Sequence, residues 1–217
     1  MSPRTSGRHA LAEKNSTPIS EALAALGAGE AIVYPTETFY ALGVDALSLG
    51  ALERLFAIKG REPGKPVALI AADTAMAFAV AREVPAQARV LAEAFWPGPL
   101  TLVLPARDGI PAALIGADGG VGVRVSSHPI ARALAAGLRG PLTATSANLA
   151  GEPPAVEPEA AHRALGDKVK VFVEDGRLAG GAPSTVVAVD RSGIRVLRPG
   201  AVSERQLAAA LKGGASR

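Results

Sequence analysis

Apolar and polar positions along the chain follow two periods, and the alternation between these periods predicts a series of helices and strands. Apolar residues three or four positions apart predict helices, whereas short apolar runs bounded by turn residues predict buried strands. The predicted helices are Pro18–Leu26, Leu49–Ile58, Pro85–Phe95, Pro129–Leu138, Glu159–Leu165 and Glu204–Leu211. The predicted strands are Ala31–Tyr34, Pro66–Ala71, Leu100–Leu104, Val121–Val125, Leu142–Thr145, Val169–Val173, Thr185–Val189 and Ile194–Leu197.

The order of these elements predicts an α/β fold, because strands and helices alternate along most of the chain. The last helix has the clearest start signal, since Ser203 and Gln206 have capping-box spacing and Val202 and Leu207 hold the staple positions. Residues 1–17 are polar and aperiodic and predict a flexible N-terminal arm. A chain of 217 residues without a fixed repeat or a long linker predicts one domain, over residues 18–217.

Composition excludes several classes of protein. The chain has no cysteine, which removes disulfide scaffolds, thiolate metal sites and cysteine nucleophiles. Its longest apolar runs, such as Val67–Ala72 and Met76–Ala81, are far below the roughly 20 residues that span a bilayer. The N-terminus lacks the apolar region of a secretion signal, so we expect a cytoplasmic protein without a membrane partner. The net charge of +3 permits anionic partners.

Common catalytic and nucleotide-binding motifs are absent. The segment Gly60–Pro66 departs from a Walker A loop in its glycine spacing and has a proline in place of the metal-binding hydroxyl. No Gly-x-Gly-x-x-Gly follows an early strand, and no serine elbow is present. The three histidines are widely scattered, and no metal ligands from protein side chains are predicted.

The first polar cluster follows the helix Leu49–Ile58. Lys59, Arg61 and Lys65 place three cations within seven residues, and such cations could converge on a polyphosphate. An ordinary solvated loop at a helix C-terminus would have the same composition, because cations are favoured there. Both interpretations remain open on this pattern alone.

Two further clusters lie on or after predicted strands. Hydroxyls and an amide in Thr145–Asn148 could bind a ligand at the end of a buried strand, or they could simply close a turn. In Val121–Ser126 the three valines share one face, and Gly122, Arg124 and Ser126 share the other. That second face could bind a carboxylate or phosphate, whereas an edge strand with a solvated arginine is the alternative.

The fourth cluster comprises two segments with hydroxyls at strand ends. Pro35–Tyr40 follows the first predicted strand, and Gly180–Thr185 precedes a later one. Either segment could be a simple turn. No single cluster identifies a reaction.

Their combination is more informative, because the motifs occur in a fixed order. They are Tyr34-Pro-Thr-Glu-Thr-Phe-Tyr-Ala-Leu-Gly43, Lys59-Gly-Arg61, Trp96-Pro-Gly-Pro-Leu-Thr-Leu102, Val123-Arg-Val125 with His128-Pro129, Thr145-Ser-Ala-Asn148, Pro183-Ser-Thr185 and Leu197-Arg-Pro-Gly200. In this order they resemble the YrdC-like family of threonylcarbamoyl-AMP synthases over roughly residues 18–211. The Lys-x-Arg and Ser-x-Asn pair is the most specific part of the resemblance.

The resemblance implies a twisted, mixed parallel and antiparallel sheet flanked by helices, with a large concave basic cavity. It implies a nucleotidyltransferase that makes L-threonylcarbamoyl-AMP and pyrophosphate from L-threonine, bicarbonate and ATP, with Mg²⁺ accompanying ATP. The product serves threonylcarbamoylation of the adenosine next to the anticodon of tRNA. A downstream tRNA threonylcarbamoyl-transferase complex is therefore an implied partner, and tRNA or double-stranded RNA is a possible one.

The resemblance also implies two sets of site residues. The ATP-binding positions are Lys59, Arg61, Lys65, Gly120, Ser146, Asn148, Pro154 and Arg198, with Lys59 and Arg61 as the catalytic positions. The threonine-binding positions are Thr38, Ile70, Arg124, Ala144 and Ser184. Arg124 is expected to pair with the threonine carboxylate, and Ile70 and Ala144 to supply backbone or wall contacts.

This chain departs from the family pattern at two positions. Ala41 stands where the family usually has glycine, and Phe39 replaces a more common valine, so the threonine pocket is expected to be tighter. No extra C-terminal domain is expected after Leu211, which resembles the short form of the family.

Two functions of other classes are alternatives. An RNA-binding module without synthase activity is one alternative, although 4% aromatic residues leave few stacking platforms for single strands. A carbamoyl-AMP-forming domain is the other, although that domain usually lies in a larger chain with zinc-finger cysteines.

Overall fold

The computed structural model describes residues 18–60, 66–149 and 151–214. The predicted arm, residues 1–17, lies outside the described residues. The helices are α1 (18–27), α2 (Leu49–Lys59), α3 (Thr74–Phe78), α4 (Ala86–Phe95), α5 (Pro129–Leu138), α6 (Pro158–Leu165) and α7 (Glu204–Gly214), with a 3₁₀ turn at Ala112–Leu114. The strands are β1 (Ile32–Pro35), β2 (Tyr40–Gly43), β3 (Ala68–Ala71), β4 (Leu100–Pro105), β5 (Gly120–Val125), β6 (Leu142–Ser146), β7 (Val171–Phe172), β8 (Thr185–Asp190) and β9 (Gly193–Arg198).

The nine strands form one mixed sheet in the order β7-β1-β2-β6-β3-β5-β4-β8-β9. Three neighbouring pairs are parallel, namely β1 with β7, β3 with β5, and β4 with β8. The other neighbouring pairs are antiparallel. The predicted α/β class and mixed sheet are therefore confirmed.

Apolar side chains cover both faces of this sheet because successive residues of a strand point to opposite sides. On β3, Leu69 belongs to a large buried cluster that includes residues of α2, α4 and α7. Its neighbour Ile70 belongs to a second cluster that includes residues of α1 and α5. Both residues are fully buried. The sheet is thus the middle layer, with helices on each side.

Two elements were not predicted from the sequence. The segment Pro35–Tyr40 predicted hydroxyls at a strand end or a simple turn, and no second strand after it. Strand β2 nevertheless pairs antiparallel with β1 from Pro35↔Tyr40 to Ile32↔Gly43. Helix α3 has five residues, too few to show a helical period, and begins with the Asp73 side chain accepting from the backbone N–H of Met76 at 2.8 Å. The predicted strand Val169–Val173 pairs only at Val171–Phe172.

Candidate active site

A cavity of about 520 Å³ lies against one face of the sheet. Alternate residues of the central strands line it, as the period of two requires, including Thr101 and Val103 on β4 and Gly122 and Arg124 on β5. The residues implied by the resemblance that line this cavity are Thr38, Gly120, Arg124, Ala144, Ser146, Pro154, Ser184 and Arg198. Side chains from well-separated parts of the chain therefore share one space, and Ala41 and Phe39 also face it.

The glycines of β5 keep part of this space open. A Cβ atom at Gly120 would lie 2.5 Å from Cγ1 of Val103, which is closer than real carbon atoms approach. A Cβ atom at Gly122 would contact Cγ2 of Thr101 at 3.4 Å and would fill space above Ala68. Small residues are therefore needed where β5 passes beneath the cavity.

The turn between β1 and β2 is built around the Thr36 hydroxyl. Its Oγ1 donates to the carbonyl of Phe39 at 2.7 Å and accepts from the N–H of Phe39 at 3.3 Å. This side-chain turn places Thr38 in the cavity wall. It also directs Glu37 towards β5, where its carboxylate accepts from Arg124.

Arg124 is a buried cation on a central strand. Strand β5 lies between β3 and β4, so the alternative of an edge strand with a solvated arginine is wrong. The side chain is 8% exposed, and its Nη1 forms an ion pair with Oε1 of Glu37. Because Arg124 also lines the cavity, its guanidinium is held at the cavity wall by the Glu37 carboxylate.

Arg198 supplies a second guanidinium from β9. Its Nη2 donates to the Ser184 carbonyl at 2.8 Å and to the Ser184 hydroxyl at 3.1 Å. The Ser184 hydroxyl also lies 3.0 Å from the Thr101 hydroxyl.

The electrostatic surroundings of Arg198 disfavour its charged form. Burial, and then repulsion from Arg124, lower the pKa of Arg198 below its ordinary value. Asp118 also lines the cavity and pairs with Arg195 at 3.3 Å.

Lys59 ends α2 and reaches the turn that follows β6. Its Nζ donates to the carbonyls of Ser146 and Asn148 at 2.9 and 2.6 Å, and to Oδ1 of Asn148 at 3.0 Å. The Ser146 hydroxyl donates to the same Oδ1 at 2.6 Å. Gly60 follows Lys59 in the left-handed region, with φ of 56°, and ends the helix there. Lys59, the first residue of the Lys-x-Arg motif, therefore contacts the Ser-x-Asn motif.

The structure places three other predicted residues differently or does not describe them. Ile70 is fully buried in the cluster with α1 and α5 and is not part of the cavity wall, because α5 packs over this end of β3. The expected wall contact of Ile70 is therefore not formed by its side chain. Arg61 and Lys65 lie outside the described residues.

A histidine that sequence reasoning did not assign lies close to this site. Nε2 of His128 is 3.1 Å from Oδ2 of Asp175, while Nδ1 is buried with no hydrogen-bond partner in the described part of the chain. Burial lowers the pKa of His128, and the Asp175 carboxylate partly opposes that effect. The Tyr40 hydroxyl donates to Gly176 O at 2.7 Å and accepts from the Asp175 N–H at 3.0 Å. These hydrogen bonds hold the backbone at Asp175 and Gly176 against Tyr40 of β2.

Sequence reasoning also missed Glu37. It lies between Thr36 and Thr38 in the Tyr34–Gly43 motif, but its partner Arg124 is 87 residues away in sequence. Only the alternation of β5, which put Arg124 and Ser126 on one face, gave a signal that a carboxylate could lie there.

In residues 18–60, 66–149 and 151–214, no three histidine, aspartate or glutamate side chains are grouped so that they could hold a metal ion. Across the same residues, none of the helices has the length and apolar character needed to cross a membrane.

The fold defines an α/β protein with a cavity on one face of a mixed sheet. The family model Sua5/YciO/YrdC, described as "Telomere recombination", matches residues 24–200. The chain therefore belongs to this family.

Similar proteins agree with this assignment. Threonylcarbamoyl-AMP synthase of Chromohalobacter salexigens is 40% identical over 169 residues, covering 77% of this chain and 90% of that protein. The synthase of Vibrio cholerae is 39% identical over 184 residues, covering 84% of this chain and 97% of that protein. The crystal structure of Pyrococcus abyssi Sua5 complexed with L-threonine superposes with a TM-score of 0.85 at 33% identity, covering 89% of this chain. This chain spans 57% of the length of that Sua5 chain.

Proposed function

We propose that this protein is an L-threonylcarbamoyl-AMP synthase, a nucleotidyltransferase that uses L-threonine, bicarbonate and ATP. The observation that carries the proposal is the meeting of Lys59, Ser146 and Asn148 at one side of the cavity that Arg124, Ser184 and Arg198 also line or approach. The names of the two bacterial synthases and the L-threonine complex of Sua5 support the same substrates.

The cavity is suited to a nucleotide and an amino acid together. Its volume of about 520 Å³ lies within the roughly 300–1,000 Å³ usual for small-molecule sites. Two guanidiniums face it or lie at its wall, and guanidiniums bind carboxylates and phosphates through paired N–H donors. Arg124 is proposed to bind the threonine carboxylate, with Thr38 and Ser184 donating or accepting hydrogen bonds and Ala144 forming wall.

The nucleotide is proposed to lie along the turn after β6. Lys59 and Ser146 lie at this turn, and both donate hydrogen bonds to the side-chain oxygen of Asn148. Arg198 lines the same cavity from β9. Arg61 and Lys65 are proposed to add charge to the triphosphate site, and backbone at Gly120 and Pro154 to line it. ATP enters as its Mg²⁺ complex, so the cation is part of the substrate.

The reaction consists of two bond-forming steps. Bicarbonate loses hydroxide to give CO₂, and the threonine amine nitrogen attacks the carbon of that CO₂. The N–C bond forms as one C=O π pair moves to oxygen, and the proton lost by the nitrogen combines with the hydroxide to give water. A carbamate oxygen then attacks the α-phosphorus of ATP, forming an O–P bond while the bond to the β-phosphate oxygen breaks and pyrophosphate leaves. Alignment of the two substrates and neutralisation of phosphate charge supply the catalysis. No side chain is required as a general base for carbamate formation.

The product would be consumed by a tRNA-modifying transferase, because a threonylcarbamoyl adenylate is an activated acyl donor. Direct tRNA binding and hand-over to a transferase complex are further parts of this proposal.

The deciding experiment measures pyrophosphate release from ATP and bicarbonate with and without L-threonine. Release that depends on threonine and gives a threonylcarbamoyl-AMP product by mass spectrometry is the expected result. Release that depends on carbamoyl phosphate instead would identify the carbamoyl-AMP alternative. Salt-sensitive tRNA binding without any pyrophosphate release would overturn the synthase proposal in favour of an RNA-binding module.

A further inference from the structure

Glu37 is a buried carboxylate next to a site proposed to bind anions. Its side chain is 12% exposed, and among the described residues it does not belong to the cavity wall, although Thr36 and Thr38 on either side do. A negative charge at such a place disfavours an anionic substrate unless it serves another group. Glu37 therefore needs an explanation that the substrate contacts do not provide.

Both oxygens of this carboxylate are used by one short stretch of the chain. Oε1 accepts from Nη1 of Arg124, and Oε2 accepts from the hydroxyl of Ser126. The Ser126 hydroxyl in turn accepts from the backbone N–H of His128 at 3.1 Å, at the start of α5. The Ser126 carbonyl accepts from Nη1 of Arg132 at 2.6 Å. The carboxylate is thus held from two sides and is fixed in position.

Fixing Glu37 also fixes Arg124. An arginine side chain has many rotamers, and a buried ion pair restricts them. The same carboxylate offsets the repulsion between Arg124 and Arg198, which both lie at this cavity. Without it, the buried Arg124 guanidinium would lose its carboxylate partner while Arg198 lies at the same cavity.

We infer that Glu37 is the positioning residue for recognition of the amino-acid substrate: it acts through Arg124, whose guanidinium it holds at the cavity wall, and Ser126 holds Glu37. This inference rests on the proposed function, since it assigns the Arg124 side of the cavity to the threonine carboxylate. It predicts a selective effect, because the hydrogen bonds that hold the turn after β6 run between Lys59, Ser146 and Asn148.

The test compares Michaelis constants for the two substrates in Glu37→Gln, which keeps the shape of the side chain and removes its charge. The KM for L-threonine should rise about tenfold, equivalent to about 1.4 kcal/mol, while the KM for ATP changes less than about twofold. Ser126→Ala, which removes the second hydrogen bond and keeps the charge, should raise the threonine KM about threefold. Glu30→Gln is the matched control, because Glu30 forms an exposed ion pair with Arg54 at 3.0 Å.

An equal rise in both constants would overturn the inference, because a purely structural role would disturb the whole cavity. An unchanged threonine KM in a folded Glu37→Gln protein would overturn it too, with folding checked by thermal unfolding. If Glu37→Gln does not fold, Ser126→Ala decides on the same criterion. Wild-type protein without threonine-dependent release would instead overturn the proposed function itself, and the inference with it.

Discussion

The ammonium group of Lys59 and the side-chain amide oxygen of Asn148 lie 3.0 Å apart, although 89 residues separate them in sequence. Lys59 also donates to the main-chain carbonyl of Asn148 at 2.6 Å, and Asn148 holds the hydroxyl of Ser146. The lysine therefore orders the turn after β6. A triphosphate in this cavity would meet a lysine whose position is already set, which lowers the cost of ordering it on binding.

Lys59→Ala should remove both the hydrogen bonds to Ser146 and Asn148 and the proposed phosphate contact. We expect kcat/KM for ATP to fall by a factor that corresponds to about 2–4 kcal/mol. Steady-state pyrophosphate release checks this. Lys168→Ala is the matched control, because Lys168 donates to the Ile58 carbonyl at 3.3 Å, at the same end of α2 and away from the turn. Nearly full turnover in Lys59→Ala would refute the phosphate assignment.

Arg124→Ala should weaken threonine binding far more than ATP binding. The guanidinium is proposed to pair with the threonine carboxylate, and a charge-assisted hydrogen bond is worth roughly 1.5–3 kcal/mol. Calorimetric titration with each substrate measures the two losses separately. Equal losses would indicate that Arg124 is needed for the shape of the cavity, since its removal also leaves Glu37 buried without its partner.

Gly200→Ala should destabilise the protein by about 1–3 kcal/mol, because overpacking forces the backbone to move. A Cβ atom at this position would lie 2.6 Å from the backbone nitrogen of Thr185 and 2.7 Å from the carbonyl carbon of Ser184. The midpoint of urea unfolding measures the change. Gly50→Ala is the control, since a Cβ atom there meets no atom of another segment within 4 Å. A Gly200→Ala protein as stable as wild type would contradict the close approach of these segments.

The sequence alone predicted the elements whose structure depends on residues close together in the chain. The capping box predicted at the last helix forms as expected, with the N–H of Ser203 donating to Gln206 Oε1 at 2.9 Å, and Val202 and Leu207 are both buried. The alternation in Val121–Val125 likewise predicted which residues of β5 face the core. Both signals lie within a few residues of each other in the chain.

What the sequence could not predict depends on contacts between distant segments. Strand β2 exists because it pairs with β1 and β6, and its four residues carry no period of their own. Ile70 was expected at the cavity, but the extent of α5 over β3 decides which residues of that face remain open. Glu37 and Arg124 form an ion pair although β6 and β3 lie between β2 and β5 in the sheet. Their contact is made by the turn between β1 and β2 and not by neighbouring strands, and no single motif encodes it.

His128 should make stability depend on pH below neutrality. Its pKa in the folded protein is lowered, mainly by burial, so in mildly acidic solution the unfolded chain binds the proton more readily. The stability associated with neutral His128 is therefore complete above the ordinary histidine pKa of about 6.5 and is lost as pH falls from there towards the lower folded-state value. We expect the Tm of the wild-type protein to fall more between about pH 7.5 and about pH 5.5 than the Tm of His128→Gln. Asp175→Asn removes the carboxylate that opposes the effect of burial, so the loss should extend to lower pH. A wild-type Tm with the same pH dependence as His128→Gln would show that this histidine is not the titrating group.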